Sequence, residues 1–285
     1  KHGEYDRAKE MLNGVLAPYL DKKEDAEALA YALKIVINIV YGLTSASFDN
    51  PFRDRRNKDN IVAKRGALFM LDLKEAVEKR GFRIIHIKTD SVKIPGATPE
   101  IIQFVIDFGK KYGYDFEHET TYSRMCLVND AVYIAKVDDG FKPNEATHGW
   151  TATGAQFAHP IVFKTLFSKQ AIEFSDYEEL KSVVTSMWLD MNEDLPEGDH
   201  NLQFIGRVGG FMPVKPGEGG GLLLRADKDG SYSAVTGTKG HRWLESQTVE
   251  KTKNIQALDR TYYDKLIDAA VDKISQYGDF EAFTA

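Results

Sequence analysis

One segment, residues 83–95 (RIIHIKTDSVKIP), constrains the fold more than any other. Two short apolar runs flank a polar Lys-Thr-Asp-Ser centre, the pattern of a β-hairpin with the polar residues at its tip. A helical period runs into it over residues 61–80 and is ended by Gly81. A second helix is predicted over 99–112, with Thr98 as its cap and a Thr-Pro-Glu start. The following CLVNDAVYIAKV reads as strand and runs into an Asp-Asp-Gly turn. Helix, hairpin, helix and strands in that order predict an α+β fold, a mixed sheet backed by helices.

On the amino-terminal side, residues 1 to about 46 read as two helices. The first carries Tyr5, Ala8, Leu12 and Leu16 at helical spacing and is closed by Pro18; the second follows a charged turn at 21–25 and runs to Gly42. Residues 47–60 have no period and read as loop. Beyond about residue 160 a helix is predicted around 177–191, then a Gly-rich β region over 204–235, then a closing helix over 260–277. The predicted divisions are therefore 1–46, 47–160 and 161–285, with no internal repeat.

With 285 residues, 42% of them apolar, the chain can bury a substantial core in roughly two lobes. The single cysteine, Cys126, excludes a disulfide framework and a multi-cysteine zinc cluster, and a reducing cytoplasm fits best. The apolar stretch 28–43 contains Lys34 and Asn38 and falls short of the ~20 residues of a membrane span, so it predicts a buried helix and no membrane partner. Because the chain opens on Lys1 inside a helical pattern, a fragment with more protein upstream is expected. Net charge is −6, yet residues 51–95 hold twelve Lys/Arg against six Asp/Glu. Such a basic island suits a face that meets phosphate, and suits a solvated helical surface equally well.

Two patterns carry chemistry. On the second predicted helix Lys34, Asn38 and Tyr41 recur at i, i+4 and i+7 and share one face. They offer a cation for a triphosphate, an amide for sugar and phosphate, and a flat ring to pack beneath a base; Ile35, Val36, Ile37, Ile39 and Val40 are expected to bury the other sides. The plainer alternative is a core helix with stray polar residues. In the hairpin tip, Thr89-Asp90-Ser91 presents a carboxylate on a tight turn, which can ligate Mg²⁺. Two-metal phosphoryl transfer needs such rigid carboxylates, although polar turns carry aspartate for many reasons.

In this order and a few dozen residues apart, the two patterns resemble motifs B and C of family B DNA polymerases, written K-x-x-x-N-S-x-Y-G and Y-G-D-T-D-S. The surrounding YGLTSASFDNPFRD, NIVAKRGALFM and HIKTDSVKIP look most like bacteriophage-type members. The resemblance covers about residues 29–136 and thins beyond. It implies a palm half-sheet backed by helices, a preceding pair of fingers helices, and a following mixed thumb-like lobe. It also implies primer-template DNA and deoxynucleoside triphosphates as partners and two Mg²⁺ ions as cofactors. Lys34 would bind the incoming triphosphate, with Lys22 or Lys23 as a second phosphate contact. Asn38 would contact the same nucleotide, and Tyr41 would pack against the nascent base pair from its minor-groove side, where any correct pair is tolerated. Asp90 matches the second aspartate of D-T-D-S, the metal ligand. Tyr133 stands at the place of the primer-terminus tyrosine.

Several departures accompany the likeness. Ile39 replaces the usual serine after Asn38, and Lys88 replaces the first aspartate of D-T-D-S, bringing a cation to the metal site; Lys88 could instead pair with Asp90 or with a substrate phosphate. Ala131 and Val132 stand where lysine is usual before Tyr133, with Lys136 as a nearby substitute. Motif A and the exonuclease carboxylates are absent from the sequence, so the implied enzyme needs an amino-terminal part, in cis or as a separate subunit. The Gly-rich stretch lacks the G-K-[ST] of a P-loop. Hairpin turns account for it, or close approach to DNA phosphates helped by Arg207, Lys215, Arg225, Lys239 and Arg242. His118-Glu119 is not a zinc-protease motif, because Tyr122 stands where the second histidine would be. Beside the enzyme stands a second expectation, a non-catalytic DNA-binding or replisome module that keeps the polymerase fold.

Overall fold

The fold was obtained as a computed structural model, which describes residues 27–285 apart from 59, 139, 142–143, 193–198 and 253. The first predicted helix, Lys22 and Lys23 lie outside the described residues. Two compact units divide the chain, one up to Phe116 and one from Glu117 to Ala285.

In the first unit helix α1, Glu27–Ser45, is followed by a short helical turn at Arg55–Lys58 and by α2, Ile61–Glu78. The side chains of Phe69, Met70, Leu73 and Val77 recur at three- and four-residue steps and form the buried stripe of α2. Strands β1, His86–Lys88, and β2, Ser91–Lys93, make the expected hairpin, with His86 opposite Lys93, Ile87 opposite Val92 and Lys88 opposite Ser91. Helix α3, Pro99–Lys111, begins where predicted: the Thr98 hydroxyl accepts the Ile101 N–H at 3.5 Å. Its Glu100 in the first turn and Lys110 and Lys111 in the last complement the helix dipole. Ile101 and Val105 of α3 meet the α2 stripe, and Ile87 and Val92 of the hairpin pack against both. Phe69 centres an aromatic cluster, with its ring 4.6 Å from that of Tyr114 and 5.7 Å from that of Phe108.

The second unit holds two antiparallel sheets. Strands β3, Tyr122–Asn129, β4, Val132–Val137, and β5, Trp150–Thr153, lie in the order β3-β4-β5. The stretch read as one strand is thus a hairpin, turned where Asn129 Oδ1 accepts the Ala131 N–H at 2.9 Å. The larger sheet has the order β10-β7-β6-β8-β9, built from β6, Glu179–Asp190, β7, Leu202–Val214, β8, Leu222–Ala226, β9, Tyr232–Ala234, and β10, Arg242–Glu245. Helices α4, Ser246–Thr252, α5, Arg260–Ser275, and α6, Phe280–Thr284, complete it. Tyr262 and Tyr263 of α5 pack on the five-stranded sheet, while Ala270 and Ile274 pack with Ile134 and Trp150 of the smaller one. Helix and sheet segregate as an α+β fold requires.

One predicted element is wrong. The helix expected around residues 177–191 is strand β6, flanked on both sides by β7 and β8. Half-buried Glu179, Lys181 and Val183 alternate with exposed Leu180, Ser182 and Val184, the two-residue period of a sheet. The β-branched run Val183-Val184-Thr185 favours that geometry, and pairing on both edges overrides local helix propensity. Among the described residues no helix is long and apolar enough to cross a membrane.

Candidate functional site

Helix α1 is continuous through Lys34, Asn38 and Tyr41, so the three lie along one face, and all are exposed. The expected burial of the remaining faces does not occur: Ile35, Val36, Ile37, Ile39 and Val40 are 40–57% exposed. The physical reason is where the helix is held. Its carboxy-terminal end is fastened by polar bonds, and apart from Ala30 and Leu33 the half-buried residues are 43–46. Tyr41 donates its hydroxyl hydrogen to Asn60 Oδ1 at 2.9 Å, and Asn57 Nδ2 donates to Thr44 Oγ1 at 2.7 Å. The Asp54 N–H reaches the Thr44 carbonyl at 3.1 Å, and Asn50 Nδ2 reaches the Leu43 carbonyl at 3.1 Å.

The hairpin tip is a two-residue connection, Thr89-Asp90. Thr89 takes the left-handed conformation at φ +40°, and the Asp90 N–H folds back to the Lys88 carbonyl. Ser91 Oγ closes the turn with a second bond to that carbonyl at 3.3 Å. The Asp90 carboxylate is exposed and has no hydrogen-bond or ion-pair partner among the described residues; Lys88, also exposed, does not pair with it. An open carboxylate on a closed turn fits one ligand position of a magnesium ion. It does not make a full site, because no cluster of three metal-ligating side chains occurs among the described residues.

The remaining candidates belong to the second unit. Tyr133 is half-buried on β4 beside Tyr122; burial first, then the Tyr133 hydroxyl, pushes the Tyr122 phenol up from its ordinary value. Lys136 pairs across strands with Trp150, and its ammonium lies 5.5 Å from the centre of that ring. Part of the Gly-rich stretch packs against its own chain, while Gly206, Gly217, Gly219 and Gly230 take positive φ with open space beside them. A side chain at Gly210 would strike Glu178 and Ser246, and one at Gly221 would come within 2.8 Å of the Asp190 carbonyl oxygen. Of the five cations named as candidate phosphate contacts, four bond within the unit: Arg207 to the Thr185 carbonyl, Lys215 to the Gln256 carbonyl, Arg225 to Ser233, and Arg242 to the Gly220 carbonyl.

A polar cluster that the sequence did not disclose is centred on Glu179. His159 Nε2 lies 2.8 Å and the Tyr262 hydroxyl 3.1 Å from Oε1, while Lys181 Nζ is 3.0 Å from Oε2. His159 Nδ1 accepts the Ile161 N–H at 3.2 Å, which leaves Nε2–H to donate to the carboxylate. Burial pushes the Glu179 carboxyl up, but hydrogen bonds from His159 and Lys181, together with the Lys181 charge, outweigh it and bring it down to about 2. A carboxylate so saturated is a poor proton acceptor. It joins the β6 strand, the segment before Pro160 and helix α5, and its chemistry is structural. Only the alternation along β6 could have pointed to it, since Glu179 and Tyr262 stand 83 residues apart.

Set against known proteins, the chain matches no protein-family model and no curated sequence.

Proposed function

We propose that the chain is the carboxy-terminal part of a bacteriophage-type family B DNA polymerase, adding deoxynucleotides to a primer 3′-OH. The observation that carries this reading is an exposed Lys34, Asn38, Tyr41 face followed along the chain by an open Asp90 carboxylate on a closed hairpin turn, in the order and spacing of motifs B and C. Both are anchored to one helix, α2: α1 through the Tyr41–Asn60 bond, and the hairpin through the shared apolar core.

In this reading residues 1–46 are fingers, 47–160 the carboxy-terminal part of the palm, and 161–285 a thumb-like lobe, and the enzyme works in the host-cell cytoplasm. Lys34 holds the triphosphate, Asn38 the same nucleotide, and Tyr41 the nascent base pair. Asp90 supplies one metal ligand. The remaining ligands come from an amino-terminal part, in cis or in trans. Magnesium, when bound, supplies charge neutralisation along the phosphates.

Lys88 beside Asp90 favours a second reading, a DNA-binding or replisome module without catalysis, because a cation at that place weakens a divalent site. Primer extension by the complete protein containing this chain separates the two. Magnesium-dependent extension that Asp90→Ala abolishes, with duplex binding kept, supports the polymerase. Duplex binding without any extension supports the module.

A further inference from the structure

Asn60 occupies the cap position of α2, yet its side chain does not cap the helix. It sits in the left-handed region at φ 56°, ψ 40°, and makes no bond to the open N–H groups of the first turn. Asparagine is among the best N-cap residues, worth about 1 kcal/mol over alanine when its oxygen accepts one of those N–H groups. That gain is forgone. Oδ1 accepts the hydroxyl of Tyr41 instead, 19 residues earlier in the chain. Asparagine is also one of the few non-glycine residues that tolerates a positive φ, so this residue type serves both the backbone and the tyrosine.

The bond has a consequence for geometry. A tyrosine on an exposed helix swings about two side-chain torsions, and tethering its far end removes most of that freedom. The tether leads into α2, whose Phe69, Leu73 and Val77 lie in the core that also seats Ile87 and Val92 of the Asp90 hairpin. The Asn57–Thr44 bond braces the same junction one helical turn away.

We infer that Asn60 is a positioning residue for Tyr41, setting the ring's height and tilt relative to the Asp90 turn, so that the phenol discriminates correct from mismatched nucleotides by shape. This rests on the polymerase reading above. Asn60 itself touches no reacting atom; it acts through the tyrosine.

The test is steady-state insertion of correct and mismatched nucleotides by the complete polymerase containing this chain. Asn60→Gly keeps the positive φ and removes the acceptor, Tyr41→Phe removes the donor, and Asn60→Asp keeps an acceptor oxygen at the same reach. Asn60→Gly and Tyr41→Phe each lower the ratio of kcat/KM for correct over mismatched nucleotide about fivefold, the size of coupling expected for residues in contact. The double variant is no worse than either single one, and Asn60→Asp retains the wild-type ratio within about twofold. Should Asn60→Gly fail to fold, Asn60→Ser replaces it, a residue whose hydroxyl is too short to hold Tyr41. An unchanged ratio in the folded acceptor-free variant, additive effects in the double variant, or failure of Asn60→Asp to rescue overturns the positioning role alone. Absence of extension by the wild-type protein overturns the polymerase reading first, and the role with it.

Discussion

Ile87 and Val92 face each other directly across the hairpin, and both pack on the core that holds Leu73 and Val77. The Asp90 turn, immediately beyond Lys88, is therefore held by apolar burial beneath it as well as by the two bonds to the Lys88 carbonyl at its tip. Stability and chemistry separate cleanly at this place. Leu73 is completely buried, so Leu73→Ala costs roughly 2–5 kcal/mol through lost transfer energy and a residual cavity. Exposed Asp90→Asn stays within about 0.5 kcal/mol. Denaturant unfolding monitored on the first unit checks both; a comparable loss in Asp90→Asn would make the carboxylate structural.

On the polymerase reading, the same Asp90→Asn substitution acts on turnover. Replacing a ligand carboxylate by an amide leaves the turn intact but removes the charge that faces the metal and the phosphates. Extension falls about a hundredfold or more, the scale set by losing one electrostatic contact to a transition state. Duplex affinity, measured by anisotropy at fixed salt, stays within about twofold. Turnover near the wild-type rate would remove Asp90 from the metal site.

Lys34 stands on the exposed face of α1, where no packing is lost when it is shortened. On the polymerase reading, Lys34→Ala raises KM for nucleotide several-fold and leaves the melting temperature unchanged, because a cation that holds the triphosphate equally in ground and transition states would contribute uniform binding. The effect shrinks as salt is raised, since exposed charges are screened over about 10 Å at 0.1 M. An unchanged KM would reduce Lys34 to a solvated surface residue.

The helix-hairpin-helix of the first unit was legible because its signals are local. Gly81 ends one helix, Thr98-Pro99-Glu100 starts the next, and the apolar runs around Thr89-Asp90 alternate over only a few residues. Strand β6 was not legible in that way, since its partners in β7 and β8 lie well downstream and supply the pairing that makes it a strand. The apolar residues of α1 promised a buried helix, and composition alone does not say where a neighbouring surface stands. Asn60 read as the end of a loop. Capping rules direct such a side chain forward into its own helix, whereas here it turns back to Tyr41. Lys34, Asn38 and Tyr41 were visible as a face because helical spacing needs nothing beyond the helix itself.

The Glu179 cluster predicts how the second unit responds to acid. The carboxylate is held at about 2, below the ordinary value of 4.5, by His159 and Lys181 against the opposing effect of burial. Tyr262 adds a third bond from α5, and Lys181 also lies 5.8 Å from the Trp243 ring on β10. A depressed carboxyl stabilises the folded state fully above its unfolded value. That contribution is lost as pH falls from about 4.5 toward 2. Glu179→Gln removes the titrating group, so the variant is less stable than wild type at pH 7, and the difference narrows steadily over that acid window. Breaking a buried pair by removing one partner costs about 3–5 kcal/mol, and Glu179 is 13% exposed at its side chain, which places the loss toward the lower end. Thermal unfolding at several pH values, followed by near-ultraviolet circular dichroism of the adjacent Trp243 and Tyr262, reports it directly. A constant gap between variant and wild type down to pH 2 would mean that Glu179 is not ionised against His159 and Lys181 in the folded protein, and that its role is packing alone.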